Sequence, residues 1–182
     1  MAQGIIEALR SDHDAVQDIF AQLETATGEE RENLFRFLVA NLITHEVAEE
    51  EILRPISRKD AGKTVVEARL KEESRAEKLL SEMEKLDVSS EEFATKLTTL
   101  RSDVEKHAAA EESDEFPKVE KAQSPEQLER LGRAYEAAKM MAPTHPHPNT
   151  PNTPMANLLV GPFAAVMDRA RDAVRDAVKS VS

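Results

Sequence analysis

The sequence contains no cysteine, no tryptophan, a single tyrosine and only five glycines among 182 residues. Without cysteine there is no disulfide, no zinc finger and no iron–sulfur ligation, so any bound metal must be held by nitrogen and oxygen donors. Basic residues are outnumbered: 24 Lys and Arg against 35 Asp and Glu give a formal net charge of −11. That is the wrong sign for the basic surface on which nucleic-acid binding depends. No apolar run approaches the roughly 20 residues of a membrane span. Met1 to Phe20 carries Glu7, Arg10 and Asp12 inside its apolar pattern, unlike a secretory signal. Little glycine, with much Ala, Leu, Glu, Lys and Arg, predicts an all-α protein. The expectation is a soluble, cytoplasmic chain with neither a nucleic-acid nor a membrane partner.

What the sequence does have is a repeat. His45-Glu46-Val47-Ala48-Glu49-Glu50 leads after four residues to Pro55, and His107-Ala108-Ala109-Ala110-Glu111-Glu112 leads after four to Pro117. On a helix, residues four apart share a face one turn apart, so each His can reach the same point as the Glu one turn later. The residue five after the His points about 140° away, which favours Glu49 over Glu50 and Glu111 over Glu112. The long side chain of Glu112 keeps it as a substitute for Glu111.

Taken in order, Ile5, Ile6, Leu9, His13, Val16, Phe20 and Leu23 recur at helical spacing. A turn around Gly28 leads to a second helix with Leu34, Leu38, Leu42, His45, Glu49 and Ile52 on one face, ending near Pro55. After Asp60-Ala61-Gly62, a third helix lines up Val66, Leu70, Glu73, Ala76, Leu80 and Met83. Ser89 with Glu92 reads as a capping box for a fourth, which buries Phe93, Leu97, Leu100, Val104 and His107 and stops near Pro117. Short connections predict an antiparallel up-down-up-down four-helix bundle over residues 1–121. Ser124-Pro125-Glu126-Gln127 opens an additional helix within 122–142. Residues 143–162 form a Pro-rich linker, and 163–182 a last amphipathic helix for docking on the bundle or on a second copy of the chain. His145 and His147 in the linker supply only two ligands and read as ordinary linker residues.

The repeat extends beyond the motif. Aligning the first helix with the third pairs Ile19-Phe20 with Leu79-Leu80, Leu23 with Met83, Asp12 with Glu72, and His13 with Glu73. Two similar hairpins therefore converge six inward donors: His13, His45, Glu49, Glu73, His107 and Glu111. Burying three carboxylates without partners would cost several kcal/mol each. A cation is the simplest remedy, the alternative being solvated carboxylates paired with bases such as Arg69 or Lys78. Three imidazoles and three carboxylates exceed one tetrahedral zinc and suit two octahedral ions such as iron or manganese. The Glu-x-x-His spacing of ferritin-like sites is absent, as is the second His of a zinc-protease helix.

On these motifs, residues 4–120 resemble the hemerythrin HHE cation-binding family, in the form that carries a C-terminal extension. The resemblance implies an antiparallel four-helix bundle holding two iron ions in an oxo- or hydroxo-bridged centre. It implies that His13, His45 and His107 are ligands and that Glu49 and Glu111 are bridging carboxylates. The chain departs from the family at Glu73, where a histidine is expected. An anionic donor there favours the ferric state, and with it reaction with hydrogen peroxide over reversible oxygen carriage. The expected function is catalase-like peroxide dismutation in oxidative-stress defence. The alternative is a module that binds or senses oxygen, nitric oxide or iron.

Overall fold

The computed structural model describes residues 3–142, and within them every regular element is helical. The linker with His145 and His147 and the helix expected over 163–182 lie outside the described residues. The elements are α1 (Ile5–Thr25), α2 (Gly28–Ala48), a π-helical turn (Glu49–Leu53), α3 (Arg54–Asp60), α4 (Lys63–Met83), α5 (Glu91–Ala110), a second π-helical turn (Glu111–Glu115), α6 (Phe116–Ala122) and α7 (Pro125–Lys139). α1 packs on α2 and α4 on α5, and the hairpins meet through α1 against α5 and α2 against α4. This is the up-down-up-down bundle expected from the sequence. No helix among the described residues is long and apolar enough to cross a membrane.

Local chemistry sets the helix ends. Gly62, at φ 105°, makes the turn between α3 and α4 in a conformation that other residues rarely adopt. Ser90 caps α5 by accepting from Phe93 N at 3.1 Å, so the cap falls one residue after Ser89, which bonds Asp87 instead. Ser124 accepts from Gln127 N while Gln127 accepts from Ser124 N, as the sequence predicts.

The prolines behave differently from expectation. Pro55 and Pro117 do not end α2 and α5; the chain continues helically through α3 and α6. In each copy the carbonyl of the motif glutamate, Glu49 or Glu111, accepts from an N–H five residues on, at Arg54 or Phe116. The widened turn absorbs a proline, which lacks the N–H and would crowd the carbonyl four residues back.

Two apolar clusters fill the interior. One, with Val16, Phe20, Leu42, Leu80, Phe93 and Leu100, occupies the bundle. The other, with Ile5, Leu9, Ile52, Phe116, Leu131 and Tyr135, joins the opposite end of α1 to the π turns, α3, α6 and α7. Each fully buried Leu, Ile or Phe stabilises by about 1.5–3 kcal/mol. The polar residues form a layer between these two clusters, and the packing on either side fixes their positions.

Candidate metal centre

Two groups of donors assemble in that layer. His13, His45, Glu49 and Glu111 each offer an atom within 4.8 Å of the others, and so do Glu49, Glu73, His107 and Glu111. All six sequence-predicted donors are therefore brought together, and Glu49 and Glu111 belong to both groups. Glu49 and Glu111 are fully buried and Glu73 is 4% exposed, whereas the solvated alternative required open carboxylates.

Each histidine is gripped from outside through Nδ1. Nδ1 of His13 lies 2.7 Å from Glu112, that of His107 lies 3.0 Å from Glu72, and that of His45 lies 2.7 Å from the Tyr135 hydroxyl. The inward Nε2 atoms approach the carboxylates: His13 and His107 come to 3.4 and 3.3 Å from Glu111, and His45 to 3.6 Å from Glu49. Fixing Nδ1–H on an outer acceptor is how proteins aim an Nε2 lone pair at a cation. Phe116 stacks on the His13 ring at 5.9 Å and restrains it further. Glu112 thus serves His13 from the outside, while Glu111 faces the interior.

Sequence reasoning missed Arg54 and Glu115. Both are buried, and Arg54 Nη1 donates to Glu115 at 2.8 Å. Arg54 Nη2 donates to Glu49 at 2.9 Å, to Glu111 at 2.5 Å and also to Glu73. Arg69, by contrast, pairs with Glu72. Arg54 carried no periodic signal, because it stands five residues after Glu49 and the π turn shifts the register of the face, whereas Glu115, four residues after Glu111, continues that face. Tyr135 was also missed, although the pairing of Asp12 with Glu72 hinted at outer carboxylates.

Four carboxylates meet one guanidinium here, and the surplus is visible in the hydrogen bonds. Glu49 Oε1, Glu73 Oε2, Glu111 Oε2, Glu115 Oε2, His13 Nε2 and His107 Nε2 are buried without a hydrogen-bond partner. Burial pushes the Glu49 carboxyl up to about 7, although Arg54 opposes the shift. Burial also works to raise Glu111, but Arg54 and the histidines outweigh it and hold this group well below the ordinary range. Burial would lower His107, but Glu111 and Glu72 overcome it and keep the ring protonated. Burial lowers His45, and the nearby Asp12 only partly opposes it. Buried nitrogen and oxygen donors that face one another, and that can give up the protons of His107 and Glu49, fit a bound cation.

Comparison with known proteins gives the family and the fold. Residues 4–119 match the hemerythrin HHE cation-binding domain. The chain belongs to that family. It is 29% identical over 175 residues to an uncharacterized hemerythrin-like protein of Schizosaccharomyces pombe, covering 92% of this chain and 85% of that one. It is also 29% identical over 136 residues to a DNA nickase of a Nostoc species, covering 74% of this chain but 39% of the nickase. In fold it is similar to the crystal structure of a hemerythrin HHE cation-binding domain-containing protein from Mycobacterium kansasii. There the TM-score is 0.68 at 18% identity, with 99% of each chain covered. The HHE match ends before α7, so Tyr135 lies beyond the matched residues.

Proposed function

We propose that this HHE protein holds two iron ions and decomposes hydrogen peroxide. The observation that carries the reading is the sharing of Glu49 and Glu111 between the two donor groups. Carboxylates common to both groups would suit two neighbouring ions, one held by His13 and His45 and the other by His107 and Glu73. Two irons sharing ligands supply a two-electron couple, the number that peroxide dismutation requires. The chain's own part is to hold the imidazoles by their Nδ1 atoms, to fix the carboxylates on Arg54, and to restrict access.

Access is narrow. A cavity of about 30 Å³ reaches His13, His45, Glu73 and His107, with Val16, Phe20 and Val104 on its apolar side. That is room for roughly two water-sized molecules or a few more. It admits molecules of the size of peroxide, oxygen or nitric oxide. Glu73 in an otherwise imidazole-type position adds negative charge and favours ferric iron, although its bond to Arg54 tempers that donation. The nicking named for the Nostoc relative finds little support here, because a net charge of −11 opposes a DNA backbone.

The test is metal analysis of the purified full chain, loaded anaerobically with ferrous iron, and then peroxide assays read as oxygen release. Two irons per chain with turnover are expected. Iron that binds oxygen or nitric oxide without peroxide turnover would instead mark a binding or sensing module. No metal uptake would sink both readings.

A further inference from the structure

The internal repeat contains its own control. In the second hairpin Glu72, on α4, bonds Nδ1 of His107, on α5, at 3.0 Å. Its counterpart in the first hairpin is Asp12, on α1, which should bond Nδ1 of His45, on α2, in the same way. It does not. Asp12 stands 3.5 Å from that nitrogen, and the hydroxyl of Tyr135 is the nearer partner of both. His45 Nδ1–H donates to the hydroxyl at 2.7 Å, and the hydroxyl donates onward to Asp12 at 2.6 Å. Lys139, one turn further along α7, closes the series on Asp12 at 2.6 and 2.7 Å. Tyr135 is fully buried, and its ring meets the His45 ring edge-on at 6.2 Å.

The backbone is shaped for this contact. Gly132 lies against the start of α1, where an added Cβ would stand 3.1 Å from both Gly4 C and Ile5 N and closer still to the Gln3 carbonyl. Only glycine allows α7 to sit near enough for Tyr135 to reach His45.

We infer that Tyr135, from a helix beyond the matched HHE residues, is a positioning residue of the metal centre that sets the orientation and donor strength of His45. This inference rests on the proposed iron centre. A neutral phenol accepts the Nδ1–H less strongly than a carboxylate would. His45 is therefore a weaker donor than His13 and His107, which are backed by Glu112 and Glu72. The outer partners thus make His45 and His107 unequal, in addition to the difference between His13 and Glu73.

The experiment compares the iron-loaded full chain with Tyr135→Phe and with the double variant Tyr135→Phe/Asp12→Asn. Iron content, helical circular dichroism, reduction potential and the visible spectrum are read on each. In Tyr135→Phe the Nδ1–H turns to Asp12, iron is retained, the potential falls and the visible bands shift. In the double variant no carboxylate remains for His45, so the fall in potential is reversed. Its ferrous-iron affinity drops on the order of 10- to 100-fold, the usual cost of losing an outer hydrogen-bond partner. An unshifted potential and spectrum in Tyr135→Phe, with wild-type iron content, would overturn the inference and leave the iron centre standing. Failure of the wild-type chain to load iron would overturn the centre itself.

Discussion

Arg54 and Glu115, 2.8 Å apart and both buried, form an ion pair across the two halves of the repeat, directly beside the donor set. The pair is neutral as a unit, yet the remaining N–H groups of Arg54 still reach Glu49, Glu73 and Glu111. The guanidinium holds three carboxylates by one oxygen each and leaves Glu49 Oε1, Glu73 Oε2 and Glu111 Oε2 free. The geometry a cation needs is thereby kept before the cation arrives.

Replacing this guanidinium should therefore hurt the metal-free protein most. Arg54→Met leaves four buried carboxylates without a fixed counter-charge, a loss of about 3–5 kcal/mol for a broken buried pair. Bound metal offsets part of that repulsion, so metal should raise the melting temperature of the variant more than that of wild type. Thermal unfolding of both chains, with and without metal, decides it. Equal metal-induced shifts would mean that Arg54 does not organise the carboxylates.

His107 has no neighbouring imidazole to replace it, being the one histidine in its donor group. His107→Ala should bind no more than half the iron of wild type, and retention of two irons per chain would place the centre elsewhere. Metal analysis after desalting reads the result directly.

Metal affinity should rise with pH. Burial lifts the Glu49 carboxyl to about 7, and Glu111 and Glu72 keep His107 protonated against the effect of burial. A cation needs both groups without their protons, so binding releases protons and strengthens between about pH 6 and 8. The sign for the metal-free fold is the opposite. Burial also raises Glu50 to about 7 from an ordinary 4.5. Because its folded value, like that of Glu49, lies above the unfolded one, the native state binds more protons across that window. These carboxyls therefore make stability decline as pH climbs from about 4.5 to 7. Calorimetric titration of zinc(II) at several pH values, in buffers of different ionisation heat, measures the affinity and the protons released. A pH-independent affinity would contradict the assignment.

Gly132→Ala should unseat α7. Overpacking against backbone commonly costs about 1–3 kcal/mol, and here the obstruction is the start of α1 rather than a flexible side chain. Tyr135 is the sole tyrosine and there is no tryptophan, so intrinsic fluorescence reports on this one ring. The variant should melt earlier and show a more solvent-accessible tyrosine to a soluble quencher such as iodide. Unchanged melting and quenching would mean that α7 tolerates the shift.

The six inward donors could be read from the sequence because each sits at a position set by helical period alone. His45 and Glu49, like His107 and Glu111, are one turn apart, and the π turns begin only at the glutamates. The alignment of His13 with Glu73 then supplied the facing helices. Past the π turns the same reasoning fails. One extra residue in the turn rotates the helix beyond it, so Arg54, five residues after Glu49, enters the core from a position that a regular helix would have placed elsewhere, while Glu115, four residues after Glu111, lies on the readable face. The two prolines read as helix ends for the same reason. Tyr135 depends on contact with residues far away in sequence, His45 and Asp12, across a close approach that Gly132 permits. Helical period and the repeat made the helical class, the two hairpins and the six inward side chains legible. What stands behind those side chains was not legible, because hydrogen bonds to outer partners depend on how helices distant in sequence meet.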